Sequence, residues 1–237
     1  MQMSMTDSTQ RRARRQLVGV AALLAAVLVV GVLAAVHLLG QPGARRSEPR
    51  ATTASAAPVV WRDVAGVRLP VSVVHGPLVT GQGQAAGYSR TRQGAALAAV
   101  QVLARTSASA GPDVYRPVLG SQVTGADREA LWVRLDQQYR QLSQRYGVTV
   151  QDGAPLPGND ATVAGYRVEE YQGDRAVVDV VLTAPDLAAG QVVAFDVDLK
   201  WREGDWRVTA PKDGDWGAVA RTLDRAPAGL LDYGQVG

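Results

Sequence analysis

Leucine, valine and alanine fill most positions from Leu17 to Leu39, with Gly19, Gly31 and His37 among them and no charge. About 20 such residues cross a bilayer core as a helix, which satisfies its own backbone polar groups. This stretch is therefore expected to be a transmembrane helix. A cleaved signal peptide is the competing reading. Its apolar core is shorter and closes on a small-residue site, whereas here Gln41-Pro42-Gly43-Ala44-Arg45-Arg46 follows. Residues 1–16 form a short basic tail. Residues 40–58, rich in Pro, Ala, Ser, Thr and Arg, bury too little to repay ordering and read as a tether. Arg11, Arg12, Arg14 and Arg15 precede the run; Arg45, Arg46 and Arg50 follow it. The positive-inside rule then places the N-terminus in the cytoplasm and residues 59–237 outside it.

In residues 59–237 the pattern changes twice. Val59-Val60-Trp61 and Val67–Val73 read as short extended pieces, with Pro70 keeping its piece at an edge. Thr80–Gly87 is a Gly/Gln loop that lacks the spacing of a phosphate cradle. A helix is predicted over Arg92–Arg105, with Ser89 or Thr91 as its cap and a small-sided face at Ala96, Val100 and Leu103. A second helix carries one apolar stripe at Leu131, Leu135, Tyr139, Leu142 and Tyr146. Thr124 and Asp127 suggest its capping box and Gly147 its stop. After Pro157 the period falls to two. Thr162–Tyr171, Arg175–Thr183 and Gln191–Arg202 alternate like strands of an antiparallel sheet covered on one face. Glu203-Gly204 fits a two-residue hairpin turn that sets Arg202 against Asp205, Trp201 against Trp206 and Leu199 against Val208. Helices first and a meander afterwards make an α+β domain.

Charge sharpens this division. The 237 residues carry a net +3, yet residues 1–57 hold seven Arg and only two acids, which leaves the folded part net negative. That argues against direct nucleic-acid binding, which needs clustered cations. The chain has no cysteine, so disulfides, thiolate metal sites and Cys nucleophiles are excluded.

Lys200-Trp201-Arg202-Glu203-Gly204-Asp205-Trp206-Arg207-Val208, placed after two helices and a meander, resembles the last hairpin of NTF2-like cone folds. With an N-terminal anchor, the architecture resembles the VirB8/TcpC class of conjugation and type IV secretion components. His75-Gly76-Pro77 and Gly87-Tyr88-Ser89-Arg90-Thr91-Arg92-Gln93-Gly94-Ala95-Ala96 resemble a family of actinobacterial single-pass proteins carried on mobile elements. The resemblance implies helices packed on a curved sheet around a pocket, and an envelope complex or a homo-oligomer as partner. Residues 59–87 extend beyond a minimal cone, and the sequence leaves their role open: an added strand or a docking element.

Little in the sequence points to catalysis. His75 is the single histidine of the domain, so a multi-His metal site is impossible and a Ser-His-Asp triad would have to use it. Asp196 and Asp198 share a strand face, which more often marks solvated sheet than a paired acid site. Some cone folds are enzymes with an Asp base and a Tyr donor in the pocket, which would draw on Tyr139, Tyr146, Tyr166 and Asp179. No catalytic, cofactor-binding or metal-ligating residue is expected. Trp132, Trp61 and His75 are the candidates for contact with a partner. The expected function is a non-enzymatic, membrane-anchored assembly subunit of a conjugation or type IV secretion-like envelope complex. A membrane-tethered module that binds a small ligand in the cone pocket is the alternative, and a pocket isomerase or dehydratase a third.

Overall fold

The structure is a computed structural model that describes residues 59–81, 83–147, 153–157 and 160–234. The basic tail, the uncharged run 17–39 and the tether 40–58 lie outside the described residues. Among the described residues no helix is long and apolar enough to cross a membrane.

Helix α1, Arg92–Arg105, runs through the middle of the molecule. The oxygen Oγ1 of Thr91 accepts the Gly94 N–H at 3.1 Å, so of the two candidate caps Thr91 is the one used. Ten consecutive residues, Gly94–Leu103, are buried. The helix is therefore enclosed on every side rather than along one stripe, as expected of a helix apolar all round. Its small side chains permit close approach. At Gly94 even a Cβ would stand 1.9 Å from the Ser89 carbonyl oxygen.

One side of α1 faces the main sheet. Strands β6 (Thr162–Tyr171), β7 (Arg175–Thr183), β8 (Val192–Arg202) and β9 (Asp205–Thr209) form an antiparallel meander. The turn between β8 and β9 is Glu203-Gly204, both at positive φ (52° and 79°), as a type I′ hairpin requires. Arg202 faces Asp205, Trp201 faces Trp206 and Leu199 faces Val208, the register that the alternation predicts. A short β5 (Val123–Thr124) adds in parallel to β9. Residues beyond β9 return as β10 (Ala220–Leu223) beside the first half of β8.

The other side of α1 is covered by the N-terminal segment. Hairpin β1–β2 (Val59–Val64 and Val67–Ser72) and the smaller β3–β4 (Val79–Gly81 and Gln84–Ala86) each form a separate two-stranded sheet. Residues 59–87 therefore add no strand to the main sheet. They are tied to polar groups of the buried helix: the Gln101 amide donates to the Pro70 carbonyl at 2.7 Å, and Arg105 Nε donates to the Gly83 carbonyl at 2.9 Å.

Three expectations are corrected. A further helix, α2 (Pro112–Ser121), lies between the two predicted ones, entered through Gly111 at φ 85° with Pro112 in its first turn. The long helix α3 is Arg128–Tyr146, and Thr124 does not cap it. Thr124 is held in β5, where its carbonyl accepts the Ala210 N–H. Asp127 stands at the cap position, but its carboxylate accepts the Asp213 N–H instead. Finally, the apolar stripe stops short: Leu131, Leu135 and Tyr139 are buried, whereas Tyr146 is 47% exposed in the last turn before Gly147, which is left-handed as expected.

Candidate functional site

Where α1, α3 and the inner face of the sheet diverge they leave a partly open cavity of about 330 Å³. Val100 and Leu103 of α1, Leu131 and Leu135 of α3, and Val193 and Phe195 of β8 form apolar wall. Small residues at Ala104, Ala108, Ala161 and Ala184 line it where larger ones would fill the space. The polar lining includes Gln138, Gln141, Arg134 and Asp215. A guanidinium nitrogen of Arg134 lies 3.7 Å from the Asp215 carboxylate, and another donates to the Asp213 carbonyl at 3.3 Å. Arg134 Nε and the Trp216 indole N–H, both on lining residues, are buried without a hydrogen-bond partner among the described residues. The size and character are those of a small-molecule site: apolar walls with a few polar groups.

The cavity lies toward one end of the domain and the incoming chain at the other. Gln93, near the start of α1, borders a crevice shared with Val59, Ser72 and His75, whose free volume is only about 10 Å³. Ala104, near the end of α1, lines the large cavity. Eleven residues at 1.5 Å each separate them by roughly 17 Å along the helix. The sheet agrees with this polarity. Thr183 at the end of β7, with Ala184 and Leu187 after it, lines the cavity, whereas the turn at the other end of β7 accepts a hydrogen bond from Arg90, just before α1.

Of the residues singled out from sequence, His75 lies by that small crevice. Its Nδ1 is 2.9 Å from Ser89 Oγ, which is 2.8 Å from Thr91 Oγ1, the α1 cap. A histidine and a serine thus meet, but a 10 Å³ crevice admits no substrate, and the hydroxyls serve to fasten the turn at residue 75 to the start of α1. Trp61 and Trp132 are half-buried and packed against the core. The large apolar residues that do stand exposed include Val73, Val74, Leu78 and Val79. Of these the sequence pattern assigns only Val73, to the end of an extended piece. The signal for the exposed stretch was the absence of any charge from Leu69 to Ser89.

The acids and tyrosines weighed for a pocket enzyme do not converge. Tyr139 donates to the Ala154 carbonyl at 2.8 Å, Tyr166 packs against Tyr233, and Tyr146 is exposed. Asp179 is buried away from the cavity, between Arg167 at 2.9 Å and Arg221 at 2.6 Å. Across the strands it faces Asp196, not Asp198, and Arg221 bridges to Asp196 at 2.9 Å. Burial and the hydrogen bond with Asp179 push Asp196 up to about 6. Burial alone would raise Asp179 too, but hydrogen bonds with Asp196, Glu169 and Arg167 and the charge of Arg221 hold it below its ordinary value. Of the two, Asp196 is the one that takes up a proton first as pH falls, and the cluster ties β6, β7, β8 and β10 together. Among the described residues no three His, Cys, Asp or Glu side chains are grouped as metal ligands.

A family model described as a domain of unknown function, DUF8175, matches residues 34–226. The chain belongs to this family. The matched stretch starts inside the uncharged run, includes the tether, and extends past β10, so it takes in both the cavity and the exposed segment. No curated protein and no solved structure matches the chain.

Proposed function

We propose that this DUF8175 protein is a membrane-tethered binding module, held by residues 17–39, whose cone-like domain takes a small, largely apolar ligand in its cavity. The observation that carries the reading is the 330 Å³ cavity, apolar-walled and lined by alanine at four places. A cavity of this kind in a core otherwise closely packed is a void that a ligand would fill with favourable dispersion contacts. The test is thermal unfolding of the full chain in lipid nanodiscs with water-soluble apolar fragments such as indole, cyclohexanol and hexanol. Binding to the native state raises the midpoint with concentration. At least one fragment should do so in the native protein and not in Ala104→Phe, which fills the space. Equal response of the two proteins to every fragment would remove the reading.

The second reading, an assembly subunit of a conjugation or secretion-like envelope complex, rests on the architectural resemblance of anchor, tether and domain. On the domain, Val133 and Tyr146 favour it, as large exposed apolar residues along α3. Photo-crosslinking from positions 133 and 146 in cells tests it: a discrete protein adduct supports an assembly role, and none at either position argues against it.

A further inference from the structure

From Leu69 to Ser89 the chain carries no charge, in a sequence that is 20% charged overall. Within that stretch four large apolar residues stand in solvent: Val73 at 70%, Val74 at 56%, Leu78 at 64% and Val79 at 65% exposure. They are held there by a hydrogen-bonded frame. Ser72 and Gly76 exchange both backbone hydrogen bonds at 2.9 Å, which puts Val73 and Val74 on a tight turn. Ser72 Oγ accepts the N–H groups of Val74 and His75, at 3.3 and 3.2 Å. Val79 opens β3 opposite Ala86. Burial lowers the pKa of His75, which lies between Val74 and Gly76 on this turn, so its ring is uncharged at neutral pH.

The point where the chain enters the domain decides what this surface faces. Val59, the first described residue, is paired with Ser72, the residue before Val73. The chain coming from the uncharged run therefore arrives at the foot of the apolar turn. Nineteen residues separate Leu39 from Val59. Taken as the tether their composition predicts, they span roughly 25 Å, which keeps the domain close to the span. The same end carries Arg92 over the Tyr171 ring at 5.2 Å and Arg90 over the Trp201 ring at 5.8 Å. Aromatic rings with cations beside them are the side chains that favour the headgroup layer.

We propose that residues 73–79 seat in the lipid interface beside the membrane span, so that the domain stands on the bilayer with its cavity at the end turned away from it. This rests on residues 17–39 being embedded, and not on the cavity binding anything. A short exposed apolar turn with no charge can bury its side chains at the acyl boundary, and the span keeps it there at a high effective concentration.

The absence of cysteine allows a direct test. Single-cysteine variants Val74→Cys, Leu78→Cys and Val79→Cys of the full chain, with Val133→Cys and Leu24→Cys for reference, are spin-labelled in phospholipid vesicles that contain no other protein. Accessibility to oxygen is compared with accessibility to a water-soluble nickel chelate. Labels at 74, 78 and 79 should be several-fold less accessible to the chelate than the label at 133, and intermediate between 133 and 24. If 74 and 79 are as open to the chelate as 133, lipid is not what covers them and a protein partner becomes the better occupant. If 24 is equally open, the embedded run fails and the proposal fails with it, whatever the fragments do.

Discussion

Replacing Asp205 by alanine should cost the domain about 3 kcal/mol of stability. Asp205 starts β9 and is 7% exposed. Its carboxylate accepts the Gly87 N–H at 2.9 Å and the Tyr88 N–H at 3.0 Å, across more than a hundred residues of sequence, and also the Trp206 N–H at 2.9 Å. It thereby fixes the approach to α1, and with it Ser89 and the His75 turn. A hydrogen bond to a charged group contributes about 1.5–3 kcal/mol net, and a buried donor left without an acceptor costs about 1–3 kcal/mol. Two long-range bonds would sum to more than 3, but relieving the buried carboxylate and letting water reach Gly87 offset part of the loss. Asp205→Asn keeps one acceptor oxygen and should lose about half as much. For a domain of this size each kcal/mol moves the midpoint by about 2–4 °C. The assay is urea unfolding of the full chain in nanodiscs, followed by tryptophan fluorescence, with exposed Glu203→Ala from the same hairpin as control. Hydrogen exchange at Gly87 and Tyr88 should accelerate only in the Asp205 variants. If Asp205→Ala lies within about 0.5 kcal/mol of the control, the carboxylate is not what holds the α1 approach.

Two further substitutions probe other parts of the account. Asp196 has its pKa raised in the fold, so its contribution is fully present below its unfolded pKa and is lost as pH climbs through about 6; Asp179, lowered, contributes above its unfolded value and loses this as pH falls. Asp196→Asn should therefore flatten the stability profile between about pH 4 and 6 and gain about 1 kcal/mol at neutral pH, a figure discounted because the Asp196 side chain is 43% exposed; an unchanged profile in urea unfolding at stepped pH would count against the raised pKa of Asp196. Gly94→Ala, which in an open helix interior would stabilise by up to about 1 kcal/mol, should instead destabilise. The added Cβ would meet the backbone oxygen of Ser89, which also accepts the Trp206 indole N–H at 3.0 Å; a rise in the unfolding midpoint would refute the close approach.

What could be read from sequence was what short-range pattern controls. The β8–β9 register follows from apolar alternation on both sides of Glu203-Gly204, because a slip by one residue would turn Trp201 and Trp206 to opposite faces. The α1 bounds follow from Thr91 and the alanine run. Helix α2 was illegible because Gly111-Pro112 is also a loop signal and Pro117 interrupts its interior. Thr124 looked like a cap because nothing local reveals that β9 would claim its backbone. Asp205 carries no trace of Gly87 and Tyr88 in its neighbourhood, and the cavity is built by residues from 67 to 216, none of which signals a void by itself. Residues Trp61, Trp132 and His75 drew attention by type, while the exposed segment consists of ordinary valines and leucine whose meaning lies in where the chain enters.

The cavity claim is tested most directly by what the protein carries out of the cell. The full chain, extracted into native-membrane discs with a polymer and no detergent, is denatured and its small molecules compared by mass spectrometry with those of Ala104→Phe prepared in parallel. The account expects at least one compound, largely apolar and small enough for about 330 Å³, in near-stoichiometric amount with the native protein and depleted in the variant. Identical profiles from two equally folded proteins would contradict it.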